Sequence, residues 1–238
     1  MKDLHLHHEP HLESSDLLKD IVIGMSDGLT VPFALAAGMV GAVTNIADPT
    51  KIIILAGIAE ISAGAIAMGL GGYLAGKTES DHYQSELRRE YYEIEYMAEE
   101  EKKEVTKFFA DWGLSKEIQE QATAEIIKDK DRWVQFMMKH ELNLNEPDPK
   151  RARKSAFNIG MSYIVGGLIP LSPYFFASTA LKGLECSAII TLICLFTFGF
   201  FKSKLTGVNA FVGGLKVMLI GAAAAATAFG IAMLVNGK

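Results

Sequence analysis

Long apolar stretches and one long polar stretch divide this chain. Residues 21–74 and 156–235 are almost free of charge, whereas 77–154 is dense in Glu, Asp, Lys and Arg. A water-soluble fold spreads its charges along amphipathic elements, so this segregation predicts a membrane body with one polar insert. About 20 apolar residues cross a hydrocarbon core of ~30 Å as a helix. Five such stretches fall at about 21–43, 52–74, 156–178, 184–201 and 211–235. Asp27, Gly28 and Pro32 are expected to break the first, and Pro170 and Pro173 interrupt the third. The predicted fold class is an all-α membrane protein of five transmembrane helices, with a three-helix insert between spans 2 and 3. Its divisions are a polar tail (1–20), spans 1 and 2 (21–75), a helical insert (76–154) and spans 3 to 5 (155–238).

The insert reads as helical throughout. Beyond Gly76, to about Thr106, it has no proline or glycine and is built of strong helix formers. It is expected to continue the second span as one long helix, broken at Trp112-Gly113. A second helix is predicted over about 115–128, with Ser115 as its N-cap, and a third over about 131–142. Glu146-Pro147-Asp148-Pro149 then leads to the third span.

Basic residues next to the spans set the orientation. Lys19, Lys77, Lys150, Arg151, Arg153, Lys154, Lys202 and Lys204 fall on one side, against Lys51, Lys182 and Lys238 on the other. The N-terminus and the insert are therefore expected in the cytoplasm and the C-terminus outside or in a lumen. Residues 1–20 lack the apolar core and cleavage site of a signal peptide, so the first span is the expected targeting signal. A net charge of −5 argues against a nucleic-acid partner. Cys186 and Cys194, the only cysteines, share one apolar span and suggest neither a disulfide framework nor a thiolate metal site; buried packing is the expected role. Small residues let helices approach closely in lipid, and tight packing accounts for any single glycine. A five-helix body is small for enclosing a path alone, so a homodimer with the path at its interface is expected.

The chemistry lies in carboxylates and methionines. Asp27 and Glu60 sit inside apolar spans, where a carboxylate costs roughly 2.5–3.5 kcal/mol on the insertion scale and seldom occurs without a use. The alternative is a buried hydrogen bond, or a charge pair. Glu60, Gly64 and Met68 recur every four residues and share a helix face. Oxygen with thioether sulfur suits a borderline divalent cation, although packing alone accounts for Met68. In the insert, Glu90 and Glu93, Met97, and Glu101 and Glu104 fall near one helix face, with Met137, Met138 and Glu141 further on. Like charges so spaced destabilise a bare helix and a cation relieves them; a solvated acidic face is the alternative. Together these features point to a divalent-metal transporter. Glu79-Ser-Asp-His82 is one half of a di-iron motif whose second half is missing, which argues against an enzyme. His5, His7, His8 and His11 form an unspecific His-bearing tail. Lys216, near an end of the fifth span, is expected to snorkel.

On these motifs the chain resembles the vacuolar iron transporter family, from about Asp20 to the C-terminus. The resemblance rests on Ser26-Asp-Gly-Leu-Thr-Val-Pro-Phe33, Gly57-Ile-Ala-Glu60, Ala67-Met-Gly-Leu-Gly-Gly-Tyr73, Phe136-Met-Met-Lys139, Pro147-Asp-Pro-Lys-Arg151 and Gly166-Gly-Leu-Ile-Pro-Leu-Ser-Pro173. It implies a five-span dimer that moves Fe²⁺ out of the cytosol in exchange for protons. The transport-path residues it implies are Asp27, Glu60 and Met68. Those of a cytoplasmic metal-binding domain are Glu90, Glu93, Glu101, Glu104, Met137, Met138 and Glu141. A nodulin-like branch of the family lacks that domain, which places this chain with the branch that has it.

The function expected from sequence is thus a secondary active transporter exporting Fe²⁺ from the cytosol, into an organelle or out of the cell, in exchange for protons. The alternatives are a membrane-bound metal buffer or sensor, or a transporter preferring Mn²⁺. The expected partners are Fe²⁺ (or Mn²⁺, Co²⁺ or Zn²⁺), protons, the lipid bilayer and a second copy of the chain, with no permanent cofactor. A vacuolar and a bacterial inner membrane are equally compatible with the sequence.

Overall fold

A computed structural model describes residues 16–42 and 48–235. The His-bearing tail, the end of the predicted first span at Val43 and the terminal Lys238 lie outside the described residues. Among those described, eight α-helices run in order: α1 (Asp16–Ala42), α2 (Pro49–Tyr96), α3 (Ala98–Asp111), α4 (Lys116–Ile126), α5 (Lys130–His140), α6 (Arg151–Leu171), α7 (Ala180–Leu205) and α8 (Ala210–Val235). A 3₁₀ turn, Ser172–Phe175, follows α6, and no strand occurs among the described residues. Among the described residues, five helical segments are long and apolar enough to cross a membrane: α1, α2, α6 with its 3₁₀ turn, α7 and α8.

The chain divides into two compact units, residues 1–73 with 153–238, and 74–152. In the first, α1, α7 and α8 pack together. Glycine sets how closely α1 meets α6. A Cβ on Gly24 would lie 2.4 Å from the carbonyl oxygen of Ile159, and one on Gly28 would lie 2.4 Å from that of Tyr163. Bare backbone at both positions permits a contact that any side chain would prevent. Asp20, 1% exposed, seals the start of α1 by accepting hydrogen bonds from Ser155 Oγ (3.0 Å) and Asn158 Nδ2 (3.2 Å) on α6.

The break expected at Asp27, Gly28 and Pro32 does not occur: α1 is continuous through all three. Proline removes one backbone donor, but the packed neighbours hold the helix, and the glycine serves close approach rather than unwinding. Cys186 is exposed and Cys194 half-buried, which corrects the expectation of buried packing for Cys186.

In the second unit the helix expected to run unbroken to about Thr106 instead breaks at Met97 (φ −130°, ψ 30°). The Met97 amide still donates to the Glu93 carbonyl, after which α3 begins anew. Burial explains the turn. Ile94, before it, and Val105, after it, join one core with Trp133, Val134, Met137 and Met138. A straight helix would hold Ile94 and Val105 about 16 Å apart at 1.5 Å per residue. Ser115 stands at the N-cap of α4 without a side-chain cap bond, whereas Asp129 caps α5 by accepting from the Arg132 amide at 2.8 Å.

Candidate functional site

The turn at Met97 brings two glutamates from neighbouring helices to a third. One carboxylate oxygen each from Glu90 on α2, Glu101 on α3 and Glu141 after α5 lie within 4.8 Å of one another. Glu90 is 1% and Glu101 4% exposed. Glu90 Oε2 is buried with no hydrogen-bond partner among the described residues. Burial, then the charge of Glu141, pushes the Glu90 carboxyl up to about 8. Burial and the Glu104 charge push Glu101 up to about 7. Glu141 rises to about 7 through burial, the Glu104 charge and a hydrogen bond with Glu104. A buried carboxylate without a counter-ion takes up a proton or a cation, and oxygen donors at this spacing suit a divalent ion.

The remaining predicted insert residues take different places. Glu104, Met137 and Glu141 line a cavity of about 250 Å³ with Lys107, Phe108, Asp111, Phe136 and His140. Met137 thus belongs to the core and to the cavity wall at once, whereas Met138 is packed in the core. Glu93 is held by Arg89 at 3.0 Å, but its charge still acts on Glu90, Glu101 and Glu141. Met97 is exposed at the break. His82 of the half di-iron motif lies 3.9 Å from Glu86, and neither it nor Glu79 enters the three-carboxylate group.

The membrane unit holds the other predicted residues. Asp27 on α1, and Glu60 and Met68 on α2, are all half-buried. Glu60 Oε1 accepts a hydrogen bond from Tyr163 on α6, and its Oε2 is buried without a partner among the described residues. The charge of Asp27 bears on the same tyrosine hydroxyl. Glu60 also lines a mostly apolar cavity of about 440 Å³ whose walls include Thr30, Leu35 and Met39 of α1 and Ala224 and Ala228 of α8. Lys216 is exposed on α8, as snorkelling requires. Tyr163 was not among the residues singled out from the sequence. A polar ring midway along an apolar span was the available signal, since tyrosines are usually drawn to the membrane interfaces.

Known proteins of similar sequence agree with one another. The model of the VIT family matches residues 18–233. Vacuolar iron transporter 1 of Tulipa gesneriana is 46% identical over 230 residues, covering 97% of this chain and 92% of its own. Vacuolar iron transporter 1 of Arabidopsis thaliana is 45% identical over 230 residues, covering 97% and 90%. Protein CCC1 of Saccharomyces cerevisiae is 39% identical over 197 residues, which are 80% of this chain and 58% of that one.

Proposed function

The chain belongs to the vacuolar iron transporter family, and from that membership we propose that it carries iron from the cytosol into a vacuole. This corrects the function expected from sequence, which was proton-coupled export into an organelle or out of the cell. The plant relatives are vacuolar iron transporters by name. Uptake into the vacuole therefore replaces an exporter of open destination, and exchange for protons is dropped. The metal buffer without net transport gives way to the same finding. Iron is the substrate here, passed through the protein and not kept.

The observation that carries the proposal is Glu60, a carboxylate far inside an apolar helix with one oxygen held and one bare. Such a group costs several kcal/mol in a bilayer and persists where it meets an ion. In this proposal iron passes Asp27, Glu60 and Met68, with the thioether favouring a transition metal over Ca²⁺. The insert lies in the cytosol, following the basic residues beside the spans, and gathers iron on Glu90, Glu101 and Glu141. Glu93 acts on these three through its charge and Glu104 on Glu101 and Glu141, while Met137 lines a cavity with Glu104 and Glu141 and Met138 packs in the core. Two copies of the chain enclose the path.

The test is flux. With the full chain in liposomes, Fe²⁺ kept reduced enters and is read by a trapped chelator dye. Asp27→Ala and Glu60→Ala lower entry to below about a tenth of the wild-type rate, the scale of losing one charge-assisted contact. Both variants still fold and bind metal at the insert. Wild-type flux in either variant overturns the path.

A further inference from the structure

Tyr163 is buried in α6, 2% exposed, with its hydroxyl donated to Glu60 Oε1. Buried carboxylates ordinarily gather donors on both oxygens, because an unmade bond to a charged group is expensive. Here one oxygen is tied and the other, Oε2, has no partner among the described residues. Glycine makes room for this tyrosine on two helices. A Cβ on Gly64 would stand 2.5 Å from both Oη and Cζ of Tyr163, and one on Gly28 would stand 2.4 Å from its backbone oxygen. Gly64 is one turn beyond Glu60, so the same face of α2 supplies the carboxylate and the niche for its donor. A side chain kept only for volume would need no hydroxyl, since phenylalanine fills the same space without burying one.

We propose that Tyr163 is a positioning residue of the transport path: its hydroxyl occupies one Glu60 oxygen, so that the carboxylate meets the passing cation through the other alone. This rests on the transport function proposed above. A carboxylate that grips a cation with both oxygens holds it tightly, whereas conduction needs sites weak enough to release the ion. By tying Oε1, Tyr163 keeps Glu60 a one-oxygen ligand and fixes its rotamer. The hydroxyl acts through Glu60 and need not touch the ion.

Tyr163→Phe tests this, because it keeps the ring and removes only the donor. In the liposome assay the maximal Fe²⁺ rate falls about ten-fold, the scale of one hydrogen bond to a charged group, while the apparent KM stays level or drops. A packing defect would instead raise KM or reduce the folded fraction. The second readout needs no flux. Infrared difference spectra are taken on adding Mn²⁺, and the Glu60 bands are identified by their loss in Glu60→Gln. The gap between the two carboxylate stretches is wide for one-oxygen binding in the wild type and narrows in Tyr163→Phe as both oxygens engage. Gly64→Ala, which leaves Tyr163 in place but drives its hydroxyl aside, reproduces both changes. A wild-type rate with unchanged bands in Tyr163→Phe overturns the proposal, as does a raised KM with unchanged bands. If no form of the chain moves iron yet the bands still narrow, transport fails and the positioning role stands.

Discussion

Glu90 and Glu60 answer the same problem in different surroundings. Each is a carboxylate with one buried oxygen lacking a partner among the described residues, but Glu90 is crowded by like charges whereas Glu60 is met by a tyrosine. The crowding has a consequence for stability. The carboxyls of Glu90, Glu101 and Glu141 titrate at about 8, 7 and 7, above the ordinary value of 4.5. Between those limits the folded protein binds more protons than the unfolded chain, so its stability falls as pH rises through that window. The metal-free protein is expected to melt lower at about pH 8 than at about pH 5.5. At 100 times its Kd, Mn²⁺ restores about 2.7 kcal/mol at the alkaline end. Glu90→Gln flattens the pH dependence and loses most of the metal response. Thermal unfolding in detergent, with and without Mn²⁺, reads both, and a wild-type pH slope in that variant refutes the account. The glutamates were legible in the sequence as a spaced series, but their order of burial was not: Glu90 before the Met97 break and Glu101 after it are buried, whereas Glu93 and Glu104 on the same two helices are not, because burial depends on which face of each helix the turn folds inward.

Among the elements, α1 and α2 departed most from expectation, and for opposite reasons. Asp27-Gly28 and Pro32 looked like a break and are helical, whereas the stretch around Met97 looked like unbroken helix and turns. Local propensity is worth tenths of a kcal/mol per residue, and packing at either place outweighs it. The glycines of α1 give a measurable form of that statement. Gly28→Val puts a branched side chain where a Cβ would already stand 2.4 Å from backbone. It is expected to cost roughly 1–3 kcal/mol or more, the range for overpacking. A Cβ on Gly71 of α2 would meet nothing within 4 Å. Gly71→Ala is therefore expected to be neutral or to stabilise by about 0.5–1 kcal/mol through helix propensity. Melting of the two variants side by side checks the contrast. Equal melting temperatures would mean that the contact of α1 with α6 yields.

For the whole molecule, the division into two units separates the chemistry into two settings. Residues 74–152 hold the three-carboxylate group, and the other unit holds Asp27, Glu60 and Met68. Metal bound at the insert should therefore leave a local footprint. Hydrogen exchange with Mn²⁺ present is expected to slow most in residues 90–141. That protection is lost in Glu101→Gln, while Asp27→Ala retains it. Protection that disappears equally in both variants would mean that the two sets of carboxylates do not bind independently.

The run lengths of apolar residues were enough to place five membrane-length helices and to set the insert apart, because spanning a hydrocarbon core needs a minimum number of apolar residues whatever their partners. The same one-dimensional pattern exposed Asp27, Glu60 and the glutamates of the insert, since charge in an apolar span, or repeated at helical spacing, stands out without coordinates. Which carboxylates converge, where α2 ends and what holds Glu60 were decided by tertiary structure. Glu90, Glu101 and Glu141 meet only because the burial of Ile94 and Val105 in one core turns the chain at Met97. Tyr163, 103 residues beyond Glu60, reaches it because Gly28 lets α1 close on the Tyr163 backbone and Gly64 leaves space on α2 for its ring.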